Sequence, residues 1–303
     1  MRQQTGSGRK LSFEEAVDIS DEMRQRRRDR RKVIAMRVVA ALLIILAIGI
    51  GGFPTFLQYQ SAQKLQDTSN QSAQTVAGWP YPQTDEMFAA AKAYNRRLAA
   101  SGQPVLGEAQ DPFSQVQGGS QSSESGAAES NGASAKDKEY QSLLDSGSGV
   151  MGTIRIPKIS VRLPIYHGTS QSALASGAGH LYGSSLPVGG RSTHAVITGH
   201  RGLVEAMMFT RLDEMRVGDY FYIEVMGRTL GYMVDRISVI EPNDTSQLKI
   251  VPGEDRVTLM TCTPYGVNTH RLLVSAVRSA IPGVVPEERN AARDARLIAD
   301  AVS

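Results

Sequence analysis

Residues 256–277 read RVTLMTCTPYGVNTHRLLVSAV, and the fold prediction starts from this stretch. Both ends are short runs rich in Val, Leu and Thr, which are typical of β-strands. The TPYG segment between them interrupts the strand pattern, because proline lacks an N–H donor and glycine favours turns. We therefore predict a β-hairpin with its loop over 263–270, in which Cys262 and Arg271 face each other on neighbouring strands.

Other short strand-like runs separated by turns precede this hairpin from residue 151 onward. Their length and spacing predict an all-β barrel or sandwich with one or two short helices. The predicted strands cover 152–156, 194–198, 220–225, 230–240, 256–262 and 271–277, and a short helix is predicted over 205–211.

The 303 residues are 41% hydrophobic, which excludes a wholly disordered chain. The net charge of +3 arises from the N-terminus, since residues 1–37 hold 11 basic and 6 acidic side chains. The remaining residues are slightly acidic, so we expect no nucleic-acid partner.

Residues 38–57 read VVAALLIILAIGIGGFPTFL and carry no charge. A helix of this length spans about 30 Å, the thickness of the hydrocarbon layer of a bilayer. Basic residues crowd the preceding segment, and the next basic residue is Lys64. We therefore predict a single-pass membrane anchor with a cytoplasmic N-terminus and residues 58–303 outside. A cleaved signal peptide and a buried core helix are the alternatives.

The segment between the anchor and the strands is polar in two places. Residues 58–80 are rich in Gln and Ser and suit a stalk, and residues 114–138 are rich in Ser and Gly and indicate a flexible loop. Residues 84–100 have the apolar periodicity of a helix. A short helix is also predicted over 286–303.

Cys262 is the only cysteine, so an intramolecular disulfide and a cysteine-rich zinc site are excluded. A guanidinium beside a thiol favours the thiolate and provides donors for an oxyanion. His200 lies in a Gly-His-Arg-Gly segment at the end of a predicted strand, where it could transfer protons. Taken singly, Cys262 is more often a packing residue, and His200 and Arg271 are more often surface residues. No metal and no cofactor is predicted.

Three motifs in this order resemble a sortase: TGHRG at 198–202, TLMTCTPYG at 258–266 and NTHRL at 268–272. Further matches resemble the class C, pilus-assembling branch in particular: HGT at 167–169, GHL at 179–181 and SLP at 185–187. The resemblance covers about residues 80–280. It implies a mainly β fold, an eight-stranded sortase-type barrel with short helices after an N-terminal transmembrane helix.

The resemblance also implies a transpeptidase site. In it Cys262 is the nucleophile, His200 is the acid and base, and Arg271 stabilises the oxyanion. The other histidines, His167, His180, His194 and His270, are expected to be structural.

Class C sortases also resemble one another in a lid with the pattern Asp-Pro-aromatic, which Asp111, Pro112 and Phe113 match. The carboxylate would engage Arg271 while the ring covers the sulfur of Cys262. An Asp-Pro turn without a lid function is the alternative. The long Ser/Gly-rich loop that follows departs from the family pattern.

Three functions follow from this interpretation. The first is a cysteine transpeptidase that cleaves LPXTG-type sorting signals of pilins and joins the product to a pilin lysine. The second is a housekeeping sortase that attaches surface proteins to the cell wall, and the third is a non-catalytic surface scaffold. The predicted divisions are a basic tail (1–37), the transmembrane helix (38–57), a stalk (58–83), the helix, lid and loop (84–138), the barrel (139–282) and a C-terminal tail (283–303).

Overall fold

The computed structural model describes residues 20–106, 113, 132–147, 149–202 and 207–280. The predictions for Asp111, Pro112, most of the Ser/Gly-rich loop and the C-terminal tail lie outside these residues. The loop predicted over 114–138 is wrong in its described part, because Gly132–Lys136 form a short helix. The chain divides into two compact units, Met1–Phe56 and Leu57–Ser303.

Helix α1 covers Ser20–Ala77. Its part Met23–Ile50 is long and apolar enough to cross a membrane, with a mean hydropathy of 2.8 in its most apolar window, and none of that window is buried. A signal sequence near an N-terminus has the same properties. The helix is thus a candidate membrane span that overlaps the predicted span over 38–57.

Eight strands form a closed barrel in the order β1-β2-β3-β4-β7-β8-β6-β5, which confirms the predicted barrel. The pairs β2–β3 and β4–β7 are parallel, and the other neighbouring pairs are antiparallel. Apolar side chains on the inner face of the strands fill the interior, among them the fully buried Ile154, Phe221 and Leu259. The strands are β1 Val150–Ile156, β2 Val161–His167, β3 Ala178–His180, β4 Thr193–Thr198, β5 Tyr220–Val225, β6 Arg228–Ile240, β7 Asp255–Thr263 and β8 His270–Arg278.

All six predicted strands are present, within two residues at either end. Strands β2 and β3 were not predicted. Pro164 lies inside β2, and β3 has only three residues, so neither gives the usual strand signal. The predicted helix over 205–211 is wrong in its described part, since residues 208–211 form turns. A single 3₁₀ turn follows at Leu212–Glu214, because this segment closes back on the end of β4 through the hydrogen bond from Phe209 N to His200 O (3.0 Å).

Among the described residues after α1, three further helices precede the strands and a fourth lies between β2 and β3. They are α2 Tyr81–Ala100, α3 Gly132–Lys136, α4 Lys138–Ser142 and α5 Gln171–Ser176, with further 3₁₀ turns at Pro157–Ile159 and Ser246–Leu248. Helix α2 confirms the helix predicted over 84–100 but begins at Tyr81 rather than at Thr84. A proline occupies its first turn, where the missing N–H costs nothing and the fixed φ suits the helix.

Helix α2 is fastened to the barrel by an amide group. Asn95 Nδ2 donates a hydrogen bond to Leu186 O (2.9 Å), and Leu186 N donates to Asn95 Oδ1 (2.8 Å). Gln103, just after the helix, donates from Nε2 to Gly183 O (3.0 Å) and accepts from Ile250 N at Oε1 (2.9 Å). The chain that leads toward residue 113 therefore starts from a fixed point on the barrel.

Residues 58–77, predicted as part of a polar stalk, continue helix α1. One face of this part is buried at Leu65, Ser69 and Val76. Leu65 and Val76 belong to the hydrophobic core of the barrel unit, and Ser72 Oγ lies 2.5 Å from Ser146 Oγ. The predicted boundaries of tail, stalk and barrel stay predictions.

Candidate active site

The end of the β7–β8 hairpin brings two of the predicted residues together. Cys262 pairs with Arg271 in the ladder, and Thr263 pairs with His270 as the last pair before the loop. Side chains of directly opposed residues lie about 5 Å apart at Cβ and point to the same face of a sheet. Cys262 is 4% exposed and Arg271 is 1% exposed. The predicted hairpin and its Cys–Arg juxtaposition are therefore confirmed.

The third predicted residue reaches the same end of the barrel on β4. This strand runs parallel to β7, and its last pair in the ladder joins Thr198 to Met260. This register, continued by two residues, brings His200 level with Cys262. Gly199 precedes the histidine where a Cβ would come within 2.7 Å of the Phe209 ring, so only glycine allows the turn to close here.

The guanidinium of Arg271 is held by main-chain oxygens of its own loop. Its Nη1 donates to Asn268 O (2.9 Å) and to His270 O (2.7 Å). Asn268 has φ +61°, a left-handed conformation that asparagine tolerates better than most residues. These bonds fix the direction of the guanidinium before any substrate arrives.

Phe113 lies where these three side chains converge. Its ring is 1% exposed and packs with Leu174 and Cys262 in a small apolar cluster. The ring centroid is 5.4 Å from the His200 ring in an edge arrangement and 5.1 Å from Cζ of Arg271. One aromatic side chain therefore contacts the thiol, the imidazole and the guanidinium together. Asp111 and Pro112 lie outside the described residues.

Burial governs the charge of His200. Its surroundings lower the pKa of the ring below the usual value, because desolvation penalises the imidazolium. Imidazole, thiol and guanidinium in one pocket can act as proton carrier, nucleophile and oxyanion stabiliser. Within the described part of the chain, no three His, Cys, Asp or Glu side chains form a group that could hold a metal.

The remaining histidines make hydrogen bonds elsewhere in the barrel unit. His180 Nδ1 lies 2.9 Å from the Tyr140 hydroxyl and its Nε2 lies 2.8 Å from Ser185 O. His194 Nδ1 lies 2.8 Å from Lys249 O. Burial lowers the pKa of both rings to about 4, so both are neutral at pH 7.

His167 and His270 also have polar partners. His167 places both ring nitrogens on main-chain oxygens, those of Gly149 (3.0 Å) and Leu143 (2.8 Å). His270 lies 3.2 Å from a carboxylate oxygen of Glu241.

Sequence reasoning missed two residues of this region. Leu174 of α5 lies in one buried cluster with Phe113 and Cys262, and nothing in the local sequence signals this. Arg201 donates from Nη1 to Thr263 Oγ1 (3.2 Å) and to Cys262 O (3.4 Å). Its position directly after His200 is the only sequence signal that could have drawn attention to it.

The Sortase domain profile matches residues 154–279. The chain is 30% identical over 130 residues to sortase A of Streptococcus agalactiae serotype III, an alignment that covers 42% of this chain and 52% of that protein. It is 28% identical over 126 residues to sortase A of Bacillus anthracis, covering 42% of this chain and 58% of the relative. The chain thus spans about half the length of these curated relatives.

Solved structures match over a longer stretch. Sortase C1 of Streptococcus agalactiae in complex with MTSET superposes with a TM-score of 0.60 at 38% identity, covering 72% of this chain and 100% of that chain. Sortase C-1 from Streptococcus pneumoniae gives a TM-score of 0.57 at 40% identity, covering 72% and 99%. Sortase C-1 from Actinomyces oris gives 0.53 at 42% identity, covering 65% and 99%. The chain therefore belongs to the sortase family of cysteine transpeptidases, and the three solved structures named above are sortases of the C type.

Proposed function

We propose that this protein is a membrane-anchored cysteine transpeptidase that cleaves LPXTG-type sorting signals between Thr and Gly and transfers the product to a pilin lysine. One observation carries the proposal. In a member of the sortase family, the Cys262 thiol, the buried His200 ring and the Arg271 guanidinium converge on a single aromatic side chain.

The first half of the reaction uses all three side chains. The Cys262 thiolate attacks the threonine carbonyl carbon, a C–S bond forms, and the carbonyl electrons move to the oxygen. The Arg271 N–H groups stabilise this oxyanion, because they are held in place beforehand by main-chain acceptors. When the C–N bond breaks, the His200 imidazolium donates its proton to the leaving glycine amine.

The second half reverses the roles. The lysine amine attacks the thioester carbon, and His200 takes up the proton that the amine loses. Collapse of the second tetrahedral intermediate breaks the C–S bond and returns Cys262 as the thiolate. The enzyme therefore ends with the proton inventory with which it began, and no cofactor enters the reaction.

The charge state of the pair limits the rate. The forward reaction needs a thiolate together with an imidazolium, whereas burial lowers the pKa of His200 and favours the neutral imidazole. The neutral imidazole therefore dominates at neutral pH while Phe113 covers the site. The reactive ion pair is a minority of the population.

Phe113 supports the assignment to the pilus branch. A buried ring on the nucleophile acts as a lid that substrate has to displace, in keeping with the Asp-Pro-Phe pattern that the sequence shares with class C sortases. The solved relatives include a structure described as a pilus-related sortase C of Group B Streptococcus. We therefore favour a pilin lysine over a cell-wall amine as the acceptor.

The N-terminal helix supports a location at the cell membrane. It is apolar over a membrane-spanning length, and the basic residues precede its apolar part. By the excess of basic residues on the N-terminal side, the N-terminus lies in the cytoplasm and the barrel lies outside.

A competition between two acceptors tests this function. The full chain in detergent micelles is incubated with an LPXTG peptide and equal amounts of a lysine-containing pilin peptide and a triglycine amine, and products are identified by mass spectrometry. The expected product is the threonine–lysine isopeptide, and Cys262→Ala forms none. A product with triglycine alone would indicate the housekeeping function, and cleavage by Cys262→Ala would contradict the cysteine mechanism.

A further inference from the structure

We propose that Arg201 is a positioning residue that sets the spacing between His200 and Cys262. The inference rests on the proposed chemistry at Cys262, and it concerns the residue that immediately follows the acid and base. Its guanidinium reaches across to the strand of the nucleophile, where Nη1 donates to Thr263 Oγ1 (3.2 Å) and to Cys262 O (3.4 Å).

This contact lies where the β4–β7 ladder stops. The last paired residues are Thr198 and Met260, and Gly199 N still donates to Met260 O (3.1 Å). The next link is made by a side chain, since Thr261 Oγ1 donates to Gly199 O (2.7 Å). Both proposed catalytic side chains therefore lie beyond the last main-chain bond between their strands.

Arg201 supplies the link that follows. Because it is adjacent to His200 in the chain and bonded to the main chain of Cys262, a shift of either residue has to break its hydrogen bonds. The backbone of His200 is also tied on its other side, where its carbonyl oxygen accepts from Phe209 N (3.0 Å). The imidazole is thus fixed between an anchor in its own loop and an anchor on the neighbouring strand.

The charge of Arg201 is buried and paired. Its side chain is 6% exposed, and Nη2 donates to Asp213 Oδ2 at 2.5 Å. The guanidinium Cζ also lies 5.7 Å from the centre of the Tyr265 ring in the β7–β8 loop. Three segments therefore meet on one guanidinium: the loop after β4, the β7–β8 loop and the 3₁₀ turn at Leu212–Glu214.

This arrangement needs the planar guanidinium group, because Nη1 and Nη2 donate hydrogen bonds in two different directions at the same time. A lysine would keep the positive charge but would present a single ammonium group in place of the fork. Arg201→Lys therefore separates geometry from charge, whereas Arg201→Gln removes the charge.

Two readouts test the proposal on the full chain in detergent micelles. The first readout is kcat and KM for cleavage of an LPXTG peptide. Displacement of a reacting group by about 1 Å lowers the reaction rate on the order of 100-fold. We expect Arg201→Lys to lower kcat by about 10- to 100-fold with KM within about threefold of wild type. The second is the pH profile of Cys262 alkylation by iodoacetamide, which needs no peptide turnover. The midpoint of this profile should rise, because the thiolate loses the hydrogen bond that the neutral His200 N–H group donates to it in the wild type.

Thr263→Val provides a second variant that leaves Arg201 intact and removes the nearer of its two acceptors on β7. If Arg201 acts through this contact, the double variant Arg201→Lys with Thr263→Val loses little more than Arg201→Lys alone. Arg211→Lys is the matched control, since Arg211 lies in the same segment but pairs with Glu214 at the exposed surface. It should leave both readouts unchanged.

Several results would overturn the proposal. One is an Arg201→Lys variant with wild-type kcat and a wild-type alkylation profile. Another is full rescue by lysine with loss only in Arg201→Gln, which would make Arg201 a source of charge. Independent effects of Arg201→Lys and Thr263→Val would also contradict it. If Arg201→Lys does not fold, a wild-type profile in Thr263→Val is decisive. A wild-type protein that is alkylated normally at Cys262 but does not cleave the LPXTG peptide would count against the proposed function, and not against the role of Arg201.

Discussion

Replacing Phe113 with alanine should open the candidate site, and the size of the effect can be worked from its contacts. The ring is 1% exposed and packs on Cys262 and Leu174. Burial of such a side chain contributes about 1.5–3 kcal/mol. Since about 1.4 kcal/mol corresponds to a factor of ten, the ratio of closed to open molecules should fall by about 10- to 150-fold in Phe113→Ala.

Further contacts increase this estimate. The edge contact with His200 and the approach of the Arg271 guanidinium to the ring are each worth about 0.5–1 kcal/mol. Because these contacts are not included in the range of about 10- to 150-fold, that range is a lower bound on the change in the ratio of closed to open molecules. The labelling rate rises in proportion only while the closed form dominates, because it levels off once the site is mostly open.

The assay follows alkylation of Cys262 by iodoacetamide under second-order conditions. Cys262 is the only cysteine of the chain, so the labelled residue is unambiguous. Val105→Ala serves as the matched control, since Val105 is exposed and lies on the segment that leads to Phe113. The smallest expected increase in the labelling rate is about 10-fold. A rate for Phe113→Ala within about twofold of wild type would therefore refute the lid.

Three further predictions address the remaining residues. In steady-state peptide cleavage, His200→Ala should lower kcat by about 10²–10⁴ through lost proton transfer, and Arg271→Ala should lower it by about 10²–10³ through lost oxyanion stabilisation. A change within about twofold would contradict the role of the residue that was replaced. Asp111→Ala should accelerate Cys262 labelling less than Phe113→Ala does, because Arg271 keeps its main-chain acceptors and the Phe113 ring still covers the thiol. The reverse order would contradict the dominant role of the ring. His180 has a pKa of about 4 in the folded protein and about 6.5 in the unfolded chain, so the unfolded chain binds more protons between these pH values. The free energy of unfolding should therefore fall by about 3 kcal/mol through this ring as the pH falls from 6.5 to 4. Urea unfolding of His180→Gln should lack this part of the pH dependence, and an unchanged pH dependence would contradict the prediction.

The hairpin was predictable from sequence because its signals are local. Pro264 and Gly266 interrupt the strands, and a hairpin with a loop centred on them places Cys262 opposite Arg271. Strand β2 escaped prediction because its pairing on both sides outweighs the unfavourable Pro164. Local propensity carries no information about such neighbours.

Polar composition misled the interpretation of residues 58–80 as a solvated stalk. Only the helical spacing of Leu65, Ser69 and Val76 marks the face that is buried, and the intervening residues are polar. A helix that needs to bury only a few side chains can be almost entirely hydrophilic in composition. The packing partner, which lies far away in the sequence, determines which face is buried.

Arg201 and Leu174 show a different limit. Arg201 contacts Cys262 and Thr263 because the loop after β4 folds against the end of β7, and α5 places Leu174 in the cluster that contains Phe113 and Cys262. These contacts depend on the closure of the whole barrel. The sequence motifs led to the proposed reacting groups through a family resemblance, whereas the residues that contact them became visible only in three dimensions.

The proposed mechanism depends most directly on a covalent bond between Cys262 and the sorting signal. Intact-protein mass spectrometry of the full chain, quenched in acid after mixing with an LPXTG peptide and no added amine, measures this bond. We expect a mass increase equal to the acyl fragment ending in threonine, mapped to Cys262 by proteolysis and absent in Cys262→Ala. Peptide cleavage at the wild-type rate by Cys262→Ala, or an adduct on any other residue, would contradict it.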